Sequence, residues 1–498
     1  MLPRMSPRDP DAPLEVDGVP VLLAPVTGPA HAGLVFRVGL VDEPLARRGI
    51  THLLEHLVAP GTARSGTHRD SRTETEHVYF HAQGTDEEIA AFLTGVCDRL
   101  RDLPVDRIAP ERDALRAEAA GRRADWMPMW RHGARDFGMP SYPELGLDAL
   151  TAEHLGDWAA RWFTRENAAL WVGGEAIPAG LKLDLPSGER RPAPAPSSTL
   201  PSTPAYFVAG ETDLGWDTVV PRGPRAAVFA NLLERRMIRE LPAGPGDAER
   251  IRTRYEPRAD GTARIVATIE LRPDDAEAAL GALVRLLDEL AGGQIDEAEV
   301  AAVTELTADG LRTARQRGAR LPGQAFNLLT GHPLQSLGEA VAAVREVTRD
   351  DVAEVAARAY RSGLLMTPAG TRTELPGYTA APAASAETVP GRVHHGRGNR
   401  ALRLVAGPDG VSVDDGESIA SVRYDACAAL LAWPDGGRQL IGEDAVVVRA
   451  EPALYRRAGR VTAEIDARVP ADRRIDLAAR EPAAIPRPPR TRWFRSGA

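Results

Sequence analysis

The sequence predicts an α+β protein: two related α/β half-domains followed by a small, mostly β C-terminal domain. Three observations predict it. The chain of 498 residues is too long for one hydrophobic core, and at about 100–200 residues per domain it divides into several units. Two stretches rich in Pro and Ser, around "LPSGERRPAPAPSSTLPSTP" and "TRTELPGYTAAPAASAETVPGRVHHGRG", read as linkers at residues 187–204 and 371–398. The elements expected in residues 205–370 follow, in outline, the order of those in residues 1–186. Order alone is weak evidence of duplication, so two unrelated α/β domains remain the alternative.

From Leu14 to Val41, β-branched and apolar residues alternate around a Gly/Pro turn, which predicts two strands entering as a hairpin. The helix of "ITHLLEHLVAPGT" follows, then a Gly/Ser/Arg loop and a strand near "EHVYFHAQG". Next comes the helix "DEEIAAFLTGVCDRLRDL", with Ile89, Phe92, Leu93 and Val96 on its apolar face and Cys97 as a small core residue. "APERDALRAEAAGRRADW" predicts another helix and "RENAALWVGGEA" a strand ending in a glycine turn. The second unit has a β-like opening, the helix "AAVFANLLERRMIREL", strands "RIRTRYEP" and "TARIVATIELR", and helices "AEAALGALVRLLDELA" and "DEAEVAAVTELTADGLRTAR". In residues 399–498, Pro-Asp-Gly turns between apolar alternations predict antiparallel strands.

Composition excludes several classes. At 43% hydrophobic and 26% charged residues the chain is of ordinary globular make-up, and no run approaches the ~18 uncharged apolar residues of a membrane span. The net charge of −9 offers no footprint for nucleic acid. "MLPRMSPRDPDAPLEV" lacks an apolar core of signal-peptide length, and the two cysteines, Cys97 and Cys427, lie far apart, so the cytoplasm is the expected compartment.

The chemistry concentrates in "HLLEH". On a helix, His52 and His56 stand at i and i+4, so their rings lie on one face and can share one ion, with Glu55 beside them. A catalytic zinc keeps three protein ligands and one open position, so a third ligand is required. His-x-x-Glu-His is the inverted zincin motif, in which the glutamate activates water. His68, His77, His81, His132, His394 and His395 have no partner at helical ligand spacing on a readable helix and are expected on the surface or in loops.

The stretch "GLVFRVGLVDEPLARRGITHLLEHLVAPGT", including Asp42, Glu43, Pro44, Gly49 and the Gly61-Thr62 after the helix, closely resembles the metal-site region of the pitrilysin/insulinase zinc metallopeptidases, in particular their bacterial, processing-peptidase-like branch. The resemblance spans about residues 14–370. It implies two half-domains of the pitrilysin/processing-peptidase type and a third zinc ligand in a Glu-x₆-Glu helix. "ERDALRAE" supplies that pattern, with Glu118 as the ligand, 62 residues after His56, and Glu111 as the residue that orients a histidine. It implies Zn²⁺ held by His52, His56 and Glu118, with Glu55 as the base in an endopeptidase acting on peptides or precursor leader segments. The family's Arg, which contacts substrate, corresponds to Arg239; its Tyr, seven residues on, corresponds to Gly246, with Tyr255 as a candidate substitute. Asp70-Ser71 stands where the family has Asn-Ala, so the strand beside the metal is expected to be altered. Family members enclose peptides between four half-domains, which implies a homodimer or a heterodimer with a homologous subunit. The missing Tyr keeps a non-catalytic, partner-dependent subunit as the alternative.

Overall fold

The computed structural model of the protein describes residues 14–59, 68–121, 125–209, 213–241, 250–371 and 375–488. The first half-domain contains strands β1 (Glu15–Val16), β2 (Val19–Ala24) and β3 (His31–Phe36), helix α1 (Ile50–Val58), strands β4 (His68–Thr73) and β5 (Val78–Gln83), helices α2 (Asp86–Arg101), α3 (Ile108–Ala119), α4 (Met127–His132) and α5 (Ala152–Trp162), and strand β6 (Ala168–Gly173). The second contains β7 (Ala205–Val208), β8 (Asp213–Pro221), α6 (Pro224–Glu240), β9 (Ile251–Pro257), β10 (Thr262–Glu270), α7 (Ala276–Ala291), α8 (Glu297–Gln316), α9 (Leu321–Thr330), α10 (Leu337–Arg345), α11 (Arg349–Arg361), β11 (Leu364–Thr367) and β12 (Thr379–Ala380).

Each half builds a six-stranded sheet, in the orders β1-β2-β6-β3-β5-β4 and β12-β7-β11-β8-β10-β9. Beyond the two-residue strands, the pairings match one for one: β2 with β6 and β7 with β11 are parallel, and every later pairing is antiparallel. The halves are therefore one topology used twice. The expected hairpin of β2 and β3 does not form, because β6 inserts between them; the hairpin at the entry is β1-β2, turned by Asp17-Gly18. Its turn has left-handed backbone at both residues, φ 51° and 81°, as Asp-Gly turns favour.

One face of the first sheet, Leu34, Phe36, Phe80 and Ala82, packs under α1, α2 and α5. The other receives a helix of the second half: Leu321, Ala325 and Leu329 of α9 pack on Ala24, Val35, Ala169 and Trp171. The exchange is reciprocal. Met127 and Trp130 of α4 pack on Phe207, Val266, Leu364 and Met366 of the second sheet, with the Trp130 and Phe207 rings stacked 4.8 Å apart. Below α4, Asp217 is fully buried between Arg131 and Arg264; burial opposes its charge, but the two guanidiniums outweigh it and hold its pKa below the usual range. Segment 187–204 has no regular structure, yet it is pinned: the Thr199 hydroxyl donates to the Trp130 carbonyl at 2.7 Å, and the Ser197 hydroxyl to that of His132 at 2.6 Å.

The C-terminal domain contains β13 (Arg392–His395), β14 (Arg403–Ala406), β15 (Gly410–Asp414), β16 (Ile419–Arg423), β17 (Cys427–Ala432), β18 (Arg438–Gly442), β19 (Val447–Ala450), α12 (Val461–Asp466) and β20 (Arg474–Asp476). It is mostly β, in four-stranded sheets ordered β13-β14-β15-β16 and β19-β18-β17-β20. The two Pro-Asp-Gly turns join β14 to β15 and β17 to β18. Part of segment 371–398, expected as a linker, is recruited into sheets instead: β12 pairs with β7 and β13 with β14. Each joins a sheet through backbone hydrogen bonds, which the Pro content of its neighbours does not prevent.

Candidate metal centre

Helix α1 buries Ile50, Leu53, Leu54, Leu57 and Val58 completely, which fixes its rotation and turns His52, Glu55 and His56 to the opposite side. Its N-terminus is set by a buried carboxylate. Glu43 accepts from the amides of Gly49 at 3.0 Å and Thr51 at 2.8 Å, and from the Arg48 guanidinium at 2.8 Å. Free amides and the positive end of the helix dipole favour an anion there. Gly49 has φ 102°, and a Cβ on it would lie 2.9 Å from that of Glu144, so glycine is required.

The two imidazoles stand 4.8 Å apart, ring to ring, and perpendicular. The Oε2 of Glu118, on α3, lies 3.7 Å from His52 Nε2 and 3.6 Å from His56 Nε2. In a tetrahedral zinc site with bonds near 2.0–2.1 Å, donor atoms lie about 3.3 Å apart. Glu118 Oε2 needs to close on each of the two nitrogens by only a few tenths of an ångström, and 46% of its side chain is exposed. Both Nδ1 atoms are taken by carboxylates, His52 by Glu144 at 2.7 Å and His56 by Glu111 at 3.2 Å. A carboxylate only accepts, so each Nδ1 carries the hydrogen and each Nε2 keeps its lone pair toward Glu118. Burial lowers the affinity of His52 for a proton, but the bond to Glu144 and the charges of Glu55, Glu144 and Glu118 outweigh it, leaving its pKa raised. Two imidazoles, one carboxylate and an open side are a donor set that fits Zn²⁺.

Glu55 Oε2 lies 3.8 Å from His52 Nε2. Its carboxylate is held by the edge strand: Ser71 Oγ donates at 2.5 Å and Thr73 Oγ1 at 3.2 Å. The departure at Asp70-Ser71 thus gives Glu55 a hydroxyl donor, while Asp70 accepts from the Tyr79 hydroxyl at 3.1 Å. A cavity of about 450 Å³ opens over these groups, lined by His52, Glu55, His56, Ser71, Glu118 and Glu144, among others. All its lining residues belong to the first half.

Among the described residues, His52, Glu55 and His56 form a group of three such side chains whose donor atoms lie within 4.8 Å of one another. Glu118 and Glu111 reach the two histidines from α3. Arg239 lies elsewhere, at the end of α6, paired with Glu240 at 2.7 Å and Glu299 at 3.1 Å. The Tyr255 hydroxyl accepts from the Gly223 amide at 2.9 Å within the second half. Gly246 and Gly61-Thr62 lie outside the described residues. Of the histidines expected at the surface, His132 and His394 are buried and His77 is half-buried. His77 packs on Phe326 at 4.9 Å, and burial lowers its pKa to about 4. His132 bonds the Ser197 carbonyl at 2.6 Å, and His394 lies near that of Arg456 at 3.3 Å. Cys97 is buried in α2. Glu144 escaped the sequence reading: it stands in an irregular stretch, "SYPELG", with no helical spacing to His52.

No family model matches the sequence, and no curated protein matches it. Solved structures do match in fold. A chain of Complex III2 from Candida albicans aligns with a TM-score of 0.56 at 16% identity, over 70% of this chain and 92% of that one. A protease from Helicobacter pylori aligns with a TM-score of 0.54 at 15% identity, over 71% and 98%. The periplasmic protease PqqL from Escherichia coli aligns with a TM-score of 0.56 at 13% identity, over 82% of this chain but 56% of PqqL. The fold is that of the pitrilysin-like proteases.

Proposed function

We propose that the protein is a zinc-dependent endopeptidase of the pitrilysin/insulinase family, cleaving peptides or precursor leader segments. The observation that carries this reading is the convergence of His52 Nε2, His56 Nε2 and Glu118 Oε2, with both Nδ1 atoms engaged and Glu55 alongside. Zinc held there supplies a Lewis acid that polarises a carbonyl and makes water nucleophilic near neutral pH. Glu55 takes the proton of the attacking water and returns it to the leaving amine, work usually worth 10²–10⁴ in rate. Ser71 and Thr73 fix that carboxylate toward the cavity. Glu118 completes the charge balance, and Glu111 keeps the ring of His56 aimed.

The deciding experiment pairs elemental analysis with a peptidase assay on Glu55→Gln. Retained zinc with cleavage lost supports the reading; cleavage only mildly reduced removes Glu55 as the base.

The second reading is a subunit that depends on a partner. The cavity takes no lining residue from the second half, Arg239 is engaged by Glu240 and Glu299, and the chain spans just over half of PqqL. We therefore place full activity in a homodimer or in a heterodimer with a homologous subunit, to be read by sedimentation and turnover with and without that subunit. Among the described residues no helix is long and apolar enough to cross a membrane; the cytoplasm remains the proposed compartment, testable by fractionation.

A further inference from the structure

We propose that Glu144 is the positioning residue that aims His52, and that the C-terminal domain is the brace that holds Glu144 in place. Glu144 has no helix or strand of its own, lying between the 3₁₀ turns Asp136–Ser141 and Leu147–Ala149. Nonetheless its Oε1 is 2.7 Å from His52 Nδ1, with both side chains nearly covered. An irregular segment keeps a side chain that still only if its neighbours do so.

Those neighbours come from two places. The segment is tied to the one preceding α1: the Gly146 amide donates to the Arg48 carbonyl at 3.2 Å, and a Cβ on Gly146 would fall 2.5 Å from the Ala46 carbonyl oxygen. Both segments then rest on the C-terminal sheet. Leu45, Ala46, Met139, Tyr142 and Leu145 form one apolar cluster with Ala429, Leu431, Ile441 and Ile475. The Ala134 amide donates to the Glu443 carbonyl at 3.0 Å. The strands that supply this seam alternate with period two, as strands with two covered faces do. Leu430 and Leu440 face the domain's own core, whereas Leu431 and Ile441 face the seam. The C-terminal domain thus has a dedicated face for the two segments that carry Glu43, which caps α1, and Glu144, which bonds His52.

What His52 is aimed at rests on the zinc reading; that Glu144 aims it does not. Two measurements separate them: the tautomer of His52, read by imidazole nitrogen NMR on metal-free protein, and zinc affinity, read by competition with a chromophoric chelator. In the native protein His52 is expected to carry its hydrogen on Nδ1. Glu144→Ala is expected to lose that preference and to weaken zinc binding 10- to 100-fold, the usual cost of losing such a partner. Glu144→Gln, which keeps an accepting oxygen, is expected to recover part of both. Ile441→Ala is expected to move both readouts the same way by a smaller factor. Its neighbour Leu440→Ala, a like truncation in the domain's own core, is expected to lower stability alone. An unchanged tautomer and affinity in Glu144→Ala overturns the positioning role. Equal zinc affinity in Ile441→Ala and Leu440→Ala overturns the brace. A tautomer that responds in a protein that never binds zinc upholds Glu144 and sinks the peptidase reading.

Discussion

The two half-domains place the same helix beside the same edge strand, and among the described residues only the first carries the candidate metal constellation. Helix α1 reads His52-Leu-Leu-Glu55-His56, and α6 reads Asn231-Leu-Leu-Glu234-Arg235. The leucine pairs, Leu53-Leu54 and Leu232-Leu233, are fully buried in their respective cores. Glu55 bonds the side chains of Ser71 and Thr73 on β4, and Glu234 accepts from the Thr253 amide on β9 at 2.6 Å. β4 and β9 are the edge strands at equivalent ends of the two sheets. The third corner is matched as well. His52 approaches Glu118 on α3, whereas Asn231 donates to Thr307 on α8 at 2.8 Å. The second half closes with a direct hydrogen bond the gap that, under the proposed zinc reading, the first half leaves for an ion. The scaffold therefore supplies position, and a few side chains supply the chemistry.

That comparison is most severely tested by removing equivalent residues. His56→Ala is expected to take zinc from about one per chain to almost none and abolish cleavage, since two donors do not hold a catalytic zinc. Arg235→Ala should leave both untouched. Elemental analysis of the two proteins side by side checks it, and retention of zinc by His56→Ala removes the ligand assignment. The glutamates give the next largest effect. Glu55→Gln is expected to lower turnover 10²- to 10⁴-fold with zinc retained. Glu234→Gln should leave turnover alone and cost at most about 1 kcal/mol of stability through its bond to the Thr253 amide. Similar turnover in the two variants would end the assignment of separate roles.

Much of this was legible in the sequence, for physical reasons that also mark where reading stops. His52, Glu55 and His56 lie within one helical turn and a half, and Glu111 and Glu118 share a helix face, so periodicity brings each set together. Strand β4, "HRDSRT", has no apolar alternation, because an edge strand beside a polar cavity has little to bury. Glu144 is 88 positions beyond His56 in an irregular segment, and only tertiary packing brings it to His52. The exchange of α4 and α9 between the sheets is equally nonlocal: Met127 and Leu321 each look like part of their own half until the sheets' open faces are seen. The hairpin expected at the entry failed for the same reason, since β6 arrives from more than 130 residues away.

The halves also meet at equivalent turns, and there the comparison predicts a pH dependence. Glu76, in the β4-β5 turn, accepts from the amide of Ala259, in the β9-β10 turn, at 3.2 Å. Burial pushes its pKa up from 4.5 to about 7, against the bond to Ala259 and the charges of Arg258 and Arg37. The folded protein holds this proton more tightly than the unfolded chain does. Between about pH 4.5 and pH 7 the unfolded chain binds fewer protons, so this contribution to stability is complete below that window and is lost as pH rises through it. Glu76→Gln stays neutral throughout. It is expected to exceed the native protein by roughly 3 kcal/mol at pH 8 and to match it near pH 4, measured by urea unfolding at each pH. A difference that is the same at both pH values would mean that Glu76 titrates normally at the joint.

The smallest expected effect is the most searching. If α6 is α1 with its ligands exchanged, then Asn231→His, Arg235→His and Thr307→Glu together should create a second zinc site in the second half. The geometry is in place. Residues 231 and 235 stand at i and i+4 on an exposed face, so histidines there displace no core, and residue 307 already lies within hydrogen-bond reach of residue 231. What is not in place is the support for the rings. Seven residues before Glu118 stands Glu111, which bonds His56; seven before Thr307 stands Val300, an apolar residue buried in the core. Without a carboxylate on Nδ1 the new rings have neither fixed tautomer nor fixed direction, so the second zinc should bind 10- to 100-fold more weakly than the first. Titration of the triple variant against a competing chelator should show two zinc equivalents of unequal affinity, where the native protein shows one. A single equivalent would mean that α1 and α6 share a place in the topology without sharing the backbone geometry a metal needs, and the kinship of the two helices would then stop at their leucines.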